Sequence, residues 1–231
     1  VAVSTTYAFA PSSGEVLLYA LSMCGIRPTA ITQEHMFNGR MAANFLLASW
    51  ANKQVNLWNV DLIEVALVQG TATYNVDPTC VMILDAYIRT GDGTDAVEDR
   101  VIFPISRTEY ASYPNKSIQA PPTVFWFDRL LSPTITLWQV PDGNGPYLLR
   151  YYRVTQIADA TLNNATQPAI PYLWLDAFAT GIAARLATIY APDRAMGFAT
   201  LAEQTWNIAA GQNVENVNLY IQPGLGGYYV R

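Results

Sequence analysis

Charge is scarce in this chain. Of 231 residues, 13% are Asp, Glu, Lys or Arg and 51% are hydrophobic, about half the charged share usual for a soluble domain. Intrinsic disorder, which needs low hydrophobicity and high charge, is excluded. So little charge solvates an isolated surface poorly, which points to burial of part of that surface against other chains. Basic clusters are missing too. Thirteen Lys and Arg stand against eighteen Asp and Glu, net −5, and the densest basic spot is the pair Arg150 and Arg153. Tight binding of DNA or RNA needs a basic face that releases counterions from phosphates. Only passive contact with DNA remains open.

Cysteine is limited to Cys24 and Cys80, which builds neither a disulfide framework nor a Cys-rich zinc site. No Gly-rich loop ends in Lys-Ser or Lys-Thr, and no HExxH motif occurs. The most apolar run, residues 173–190, is interrupted by Asp176 and Arg185 and does not read as a membrane span. Residues 1–11 lack the basic-then-apolar layout of a secretory signal. Without one, the sequons at Asn115 and Asn164 carry little weight. The expectation is a soluble chain made in a reducing cytoplasm. No internal repeat or low-complexity block is present.

What is there divides by periodicity. Ser12-Ser13-Gly14-Glu15 has the form of a capping box, followed by Val16, Leu17, Tyr19, Ala20 and Met23, with Gly25 and Pro28 as stop signals. A second helix is expected from a Thr32 cap to about Asn52. Its Phe37, Met41, Phe45 and Ala48 recur at helical spacing as one face, and Leu46, Leu47 and Trp50 broaden the apolar surface towards burial on two sides. Between residues 58 and 157 the pattern turns to short β-branched and aromatic runs at 63–68, 81–88, 124–127, 135–140 and 147–154. Asp142-Gly143-Asn144-Gly145 predicts a turn, and with it a hairpin over residues 135–154. One helical turn is expected near residues 107–111. Helices return after Pro171: Leu175, Phe178, Ile182, Leu186 and Ile189 form one stripe, with Ala177, Gly181 and Ala184 as a small-residue side open to close approach. A last helix spans residues 194–210. The implied class is α+β: a helical bundle from both chain ends (residues 1–56 and 158–212), a β-rich insertion (57–157) and an extended C-terminal arm (213–231).

Catalytic constellations are sparse. His35, the one histidine, sits in a predicted helix without a supporting nucleophile or acid and reads as a structural or surface residue. Asp92, Asp95, Glu98 and Asp99 lie close together, but not at calcium-loop spacing. They read as a solvated loop, with a weak calcium or partner-charge site as the alternative. Phe125-Trp126-Phe127 and Tyr151-Tyr152 are possible sugar or base platforms, with core and interface positions the favoured reading.

An ordered series then stands out: Pro104-Ile-Ser-Arg-Thr-Glu-Tyr110, Pro114-Asn-Lys116, Pro122-Thr-Val-Phe-Trp-Phe-Asp-Arg129, Ile135-Thr-Leu-Trp-Gln-Val-Pro-Asp142, Leu149-Arg-Tyr-Tyr-Arg153 and Gln156-Ile-Ala-Asp-Ala160. This series resembles the head-to-tail adaptor (connector) proteins of tailed bacteriophages, over roughly residues 57 to 210. The resemblance implies a structural ring, usually of twelve subunits, docked under the portal of the virion. Such a ring extends the DNA channel, meets a tail or nozzle protein, and uses no cofactor. A net −5 per chain suits a lumen along which DNA slides.

Site residues follow as expectations. Arg107, Glu109, Asp128 and Arg129 are candidates for a network that fixes the insertion or bridges subunits, against an ordinary salt bridge within the chain. Tyr220, Ile221, Tyr228 and Tyr229 of the C-terminal arm are expected to bind the portal or a neighbouring subunit, against a frayed terminus. Asp92, Asp95, Asp142 and Asn144 mark loops expected to face the tail. The competing readings are a tail-associated enzyme that degrades cell-wall polymer, with paired carboxylates, and a carbohydrate-binding module.

Overall fold

The computed structural model describes residues 9–53, 56–91, 97–161 and 166–214. Helix α1 (Ser13–Met23) begins as its sequence dictates. The Ser12 hydroxyl accepts from the Glu15 N–H at 3.2 Å, and the Glu15 carboxylate accepts from the Ser12 N–H at 2.8 Å. The backbone hydrogen bond from Ser12 holds the Glu15 carboxyl below its ordinary pKa. The helix stops at Gly25, whose φ of +88° is a conformation glycine adopts without strain. There the Arg194 guanidinium donates to the Cys24 carbonyl at 3.0 Å, tying the end of α1 to the far end of the chain.

Helix α2 (Gln33–Lys53) buries Gly39, Ala42, Ala43, Leu46, Leu47 and Trp50. Small residues allow the close approach: a Cβ at Gly39 would stand 2.1 Å from Leu17 Cδ1 on α1. Helix α4 (Leu175–Tyr190) packs against α1, α2 and α5 (Ala195–Ala210). Its Gly181 faces Leu46, 2.5 Å from where a Cβ would lie. Gly181, on the expected small-residue side of α4, thus seats Leu46 of α2. Burial on two sides, expected of α2, is not found: the stripe Phe37, Met41, Phe45 and Ala48 stays out of the core. Phe37 and Phe45 are 56% and 57% exposed, Ala48 is exposed and Met41 only half-buried. The other face wins the core because Gly39 lets α1 approach and Gly181 of α4 receives Leu46, so the helix axes come close there.

A chain of aromatic rings joins this core to the β-rich part. Trp174 lies 5.0 Å from Trp50, 4.9 Å from Trp58 and 6.5 Å from Trp206, centroid to centroid. Trp58 stands in a 3₁₀ turn just ahead of the first strand.

Seven strands form one curled mixed sheet: β1 (Val60–Ala66), β2 (Thr73–Asn75), β3 (Cys80–Thr90), β4 (Glu98–Pro104), β5 (Val124–Asp128), β6 (Thr134–Trp138) and β7 (Tyr147–Thr155), with the short helix α3 (Arg107–Ser112) between β4 and β5. The spatial order is β1-β7-β3-β4-β5-β6-β2. All neighbours are antiparallel except β4 and β5. Its core contains Ala86, Ile88, Ile102, Phe125, Ile135, Leu137, Leu149 and Tyr151, an alternating inner face. The class is α+β.

The hairpin expected over residues 135–154 does not form. β6 pairs with β5 and β2, while β7 pairs with β1 and β3. The turn at Asp142–Gly145 is present, but Pro141 and Pro146 bracket it and neither can donate to a ladder, so pairing cannot propagate from it. Their carbonyls accept instead from Gly70 at 3.0 Å and Gly91 at 3.3 Å. The strands β2 and β4 were not expected. The first is three residues long, and the second opens with Glu98-Asp99-Arg100.

Candidate partner surfaces

No nucleophile is prepared in the described residues. Burial pushes the Cys24 and Cys80 thiols up, which disfavours the reactive thiolate. His35 spends its Nδ1 on the α2 cap, 3.0 Å from the Thr32 N–H, and its ring lies 4.8 Å from that of Tyr190. Among the described residues no group of three or more His, Cys, Asp or Glu could hold a metal ion, and no helix is long and apolar enough to cross a membrane. Adjacent aromatics do not share a platform: Phe125 and Tyr151 point into the sheet core, whereas Tyr152 is exposed on the other face.

The basic pair noted in the sequence is occupied. Arg150 pairs with Glu64 across β7 and β1. Arg153 donates to Asp61 at 2.9 Å and approaches Asp77 at 3.9 Å. Arg89 pairs with Asp99 at 2.6 Å. These pairs leave little unpaired positive charge on the sheet for a phosphate backbone. Between them the outer sheet face is apolar: Leu62 opposes Tyr152, and Val101 and Phe103 of β4 are exposed.

Of the sequence-predicted positions, Asp142 and Asn144 are built into one turn. Asp142 accepts from the Asn144 N–H at 2.9 Å, from the Asn144 side chain at 3.0 Å and from the Tyr147 hydroxyl at 2.8 Å. The Asn144 backbone bond, then that of Tyr147, holds the Asp142 carboxyl below its ordinary range. Tyr147, desolvated by burial and facing that carboxylate, is pushed up to about 12. Arg107 and Glu109 lie on α3, Asp128 ends β5 and Arg129 begins the connection to β6. Among the described residues none of these four side chains enters an ion pair. Asp92, Asp95, Tyr220, Ile221, Tyr228 and Tyr229 lie outside the described residues.

Sequence reasoning missed the exposed apolar groups. Besides the α2 stripe, Leu130 and Leu131 are 62% and 99% exposed in the β5–β6 connection. The available signal was two large apolar residues side by side in a turn bounded by Arg129 and Ser132-Pro133. A cleft of about 750 Å³ opens beside α1 and the start of α4, with Tyr19, Tyr172 and Leu173 in its wall. Exposed apolar surface on this scale marks interaction sites.

Comparison with curated proteins finds no match. The family model for the SU10 adaptor protein matches residues 38–220, a span that takes in most of α2, the whole sheet, α4 and α5. The chain therefore belongs to the SU10 adaptor protein family, a family of phage head–tail adaptors.

Proposed function

We propose that this chain forms a structural ring that joins the portal vertex of a tailed phage head to its tail and extends the DNA channel for genome retention and ejection. The observation that carries the reading is the family match over residues 38–220. The exposed Phe37 and Phe45 of α2 and the apolar sheet face at Val101 and Phe103 support it, since a lone chain gains nothing by wetting them. In this reading the chain is a virion component and not an enzyme. Its partners are the portal ring, a tail or nozzle protein, and further copies of itself, usually twelve in the resembling family. DNA is only a passive neighbour, because three of the four sheet arginines, Arg89, Arg150 and Arg153, are already paired.

Residues 1–56 and 158–212 act as one helical unit and residues 57–157 as the β-rich unit. The arm at 213–231 lays Tyr220, Ile221, Tyr228 and Tyr229 on the portal or a neighbouring subunit. Asp92, Asp95, Asp142 and Asn144 face the tail. Arg107, Glu109, Asp128 and Arg129, unpaired within the described chain, are available to bridge subunits.

A phage unable to make this chain is expected to accumulate heads without tails, seen by electron microscopy. Adding the purified chain and tails should restore infectivity. Tailed, infectious particles that lack the chain would overturn the reading.

A further inference from the structure

Two apolar features of this chain have no partner among the described residues, and they are of opposite form. One is concave. The cleft beside α1 and α4 holds Tyr19, Tyr172 and Leu173, all exposed, with Ala179 deeper in and the carboxylates of Glu15 and Asp176 in its wall. Glu15 is committed to the Ser12 cap, whereas Asp176 makes no ion pair among the described residues. The other is convex. The β5–β6 connection, residues 129–133, carries Leu130 and Leu131 outward, with Leu131 touching almost nothing of its own chain. Arg129 stands immediately before them, exposed and equally without an ion pair among the described residues.

We propose that the Leu130-Leu131 knob of one copy seats in the Tyr19–Tyr172–Leu173 cleft of the next copy, with Arg129 of the first paired to Asp176 of the second. The argument for a second copy is the match in form and charge. A cation flanks the knob, a spare carboxylate lines the cleft, and both belong to the same chain. The hairpin presents the two leucines on a ready-formed ladder between Phe127 and Ile135, so little ordering cost opposes docking. Residues 1–8 contain no Lys or Arg to meet Asp176. A knob and a pocket at different places on one chain make a heterologous contact, and such a contact generates a closed ring when its rotation closes. This inference rests on the ring reading above and names one of its subunit contacts.

The test uses the full-length chain and the portal ring of its phage. A photoreactive benzoylphenylalanine in place of Leu173, in a mixture of isotope-labelled and unlabelled chains, should cross-link to the peptide containing residues 129–133 of another copy. Capture of residues 1–8, of residues 215–231 or of the portal, or no cross-link in assembled rings, would overturn the proposal. In parallel, Arg129→Glu and Asp176→Arg should each lower ring assembly at least tenfold by native mass, with the double variant restoring most of it. Both side chains are exposed, and unchanged thermal unfolding checks that the variants are folded. Rings that form equally well with either single change overturn this contact alone. A wild-type chain that never adds to the portal overturns the ring reading and this contact together.

Discussion

The two faces of α2 both carry large apolar side chains, but only one of them also carries the small residues. Its buried face is built from Gly39, Ala42 and Ala43 with Leu46, Leu47 and Trp50, while the large side chains Phe37 and Phe45 stand in solvent. Packing explains the inside: Gly39 lets Leu17 of α1 touch the α2 backbone, and Leu46 of α2 reaches Gly181 of α4. Nothing among the described residues explains the outside. The lesson is that in a chain that works in an assembly, helical periodicity marks both the core and the surface meant for other chains, and residue size near a close helix crossing tells them apart.

The largest effect expected from breaking this comparison lies inside. Trp50 is 2% exposed and packs on Trp174 and Phe178. Trp50→Ala should therefore lower stability by about 3–5 kcal/mol in denaturant unfolding. Next comes one substitution with opposite signs at two glycines. Gly39→Ala would drive a methyl into Leu17, with three of its atoms within 3 Å, and should cost about 1–2 kcal/mol after the helix-propensity gain. Gly197→Ala in α5 meets nothing within 4 Å and should stabilise by about 0.5–1 kcal/mol. Outside, Phe45→Ala should move monomer stability by no more than about 0.5 kcal/mol while weakening assembly on the portal. Equal losses inside and outside would erase the distinction between the faces.

The smallest effect concerns the Asp142 turn. Because the folded carboxyl is depressed by the Asn144 and Tyr147 hydrogen bonds, its contribution is fully present above about pH 4 and is lost as pH falls below it. Acid unfolding of Asp142→Asn should show a shallower dependence on pH than the wild type in that range.

Local signals were legible in the sequence where a residue acts on its own neighbours. The Ser12–Glu15 box starts α1, the helical turn expected near residues 107–111 is α3, and of the expected α4 stripe Phe178, Ile182 and Leu186 are buried, whereas Leu175 is half-buried and Ile189 is exposed. The α+β class followed from the same periodicities. Pairing was not legible. β7 reads as a strand by its alternation, yet its partners β1 and β3 lie far away in the chain, and the nearby turn at Asp142 suggested β6 instead. Nor could the chain pattern tell which apolar stripe of α2 faces inward, since that depends on how near α1 and α4 come. Of the candidate site, the Asp142–Asn144 turn is local and was readable. The knob at Leu130-Leu131 and the cleft it suits are assembled from distant segments and carry no periodic signature.

The most direct test is the native mass of this chain mixed with the portal ring of its phage. An adaptor is expected to add as one discrete step of about twelve chains, through interfaces large enough to survive isolation. A portal ring of unchanged mass beside a free monomer would contradict that assignment.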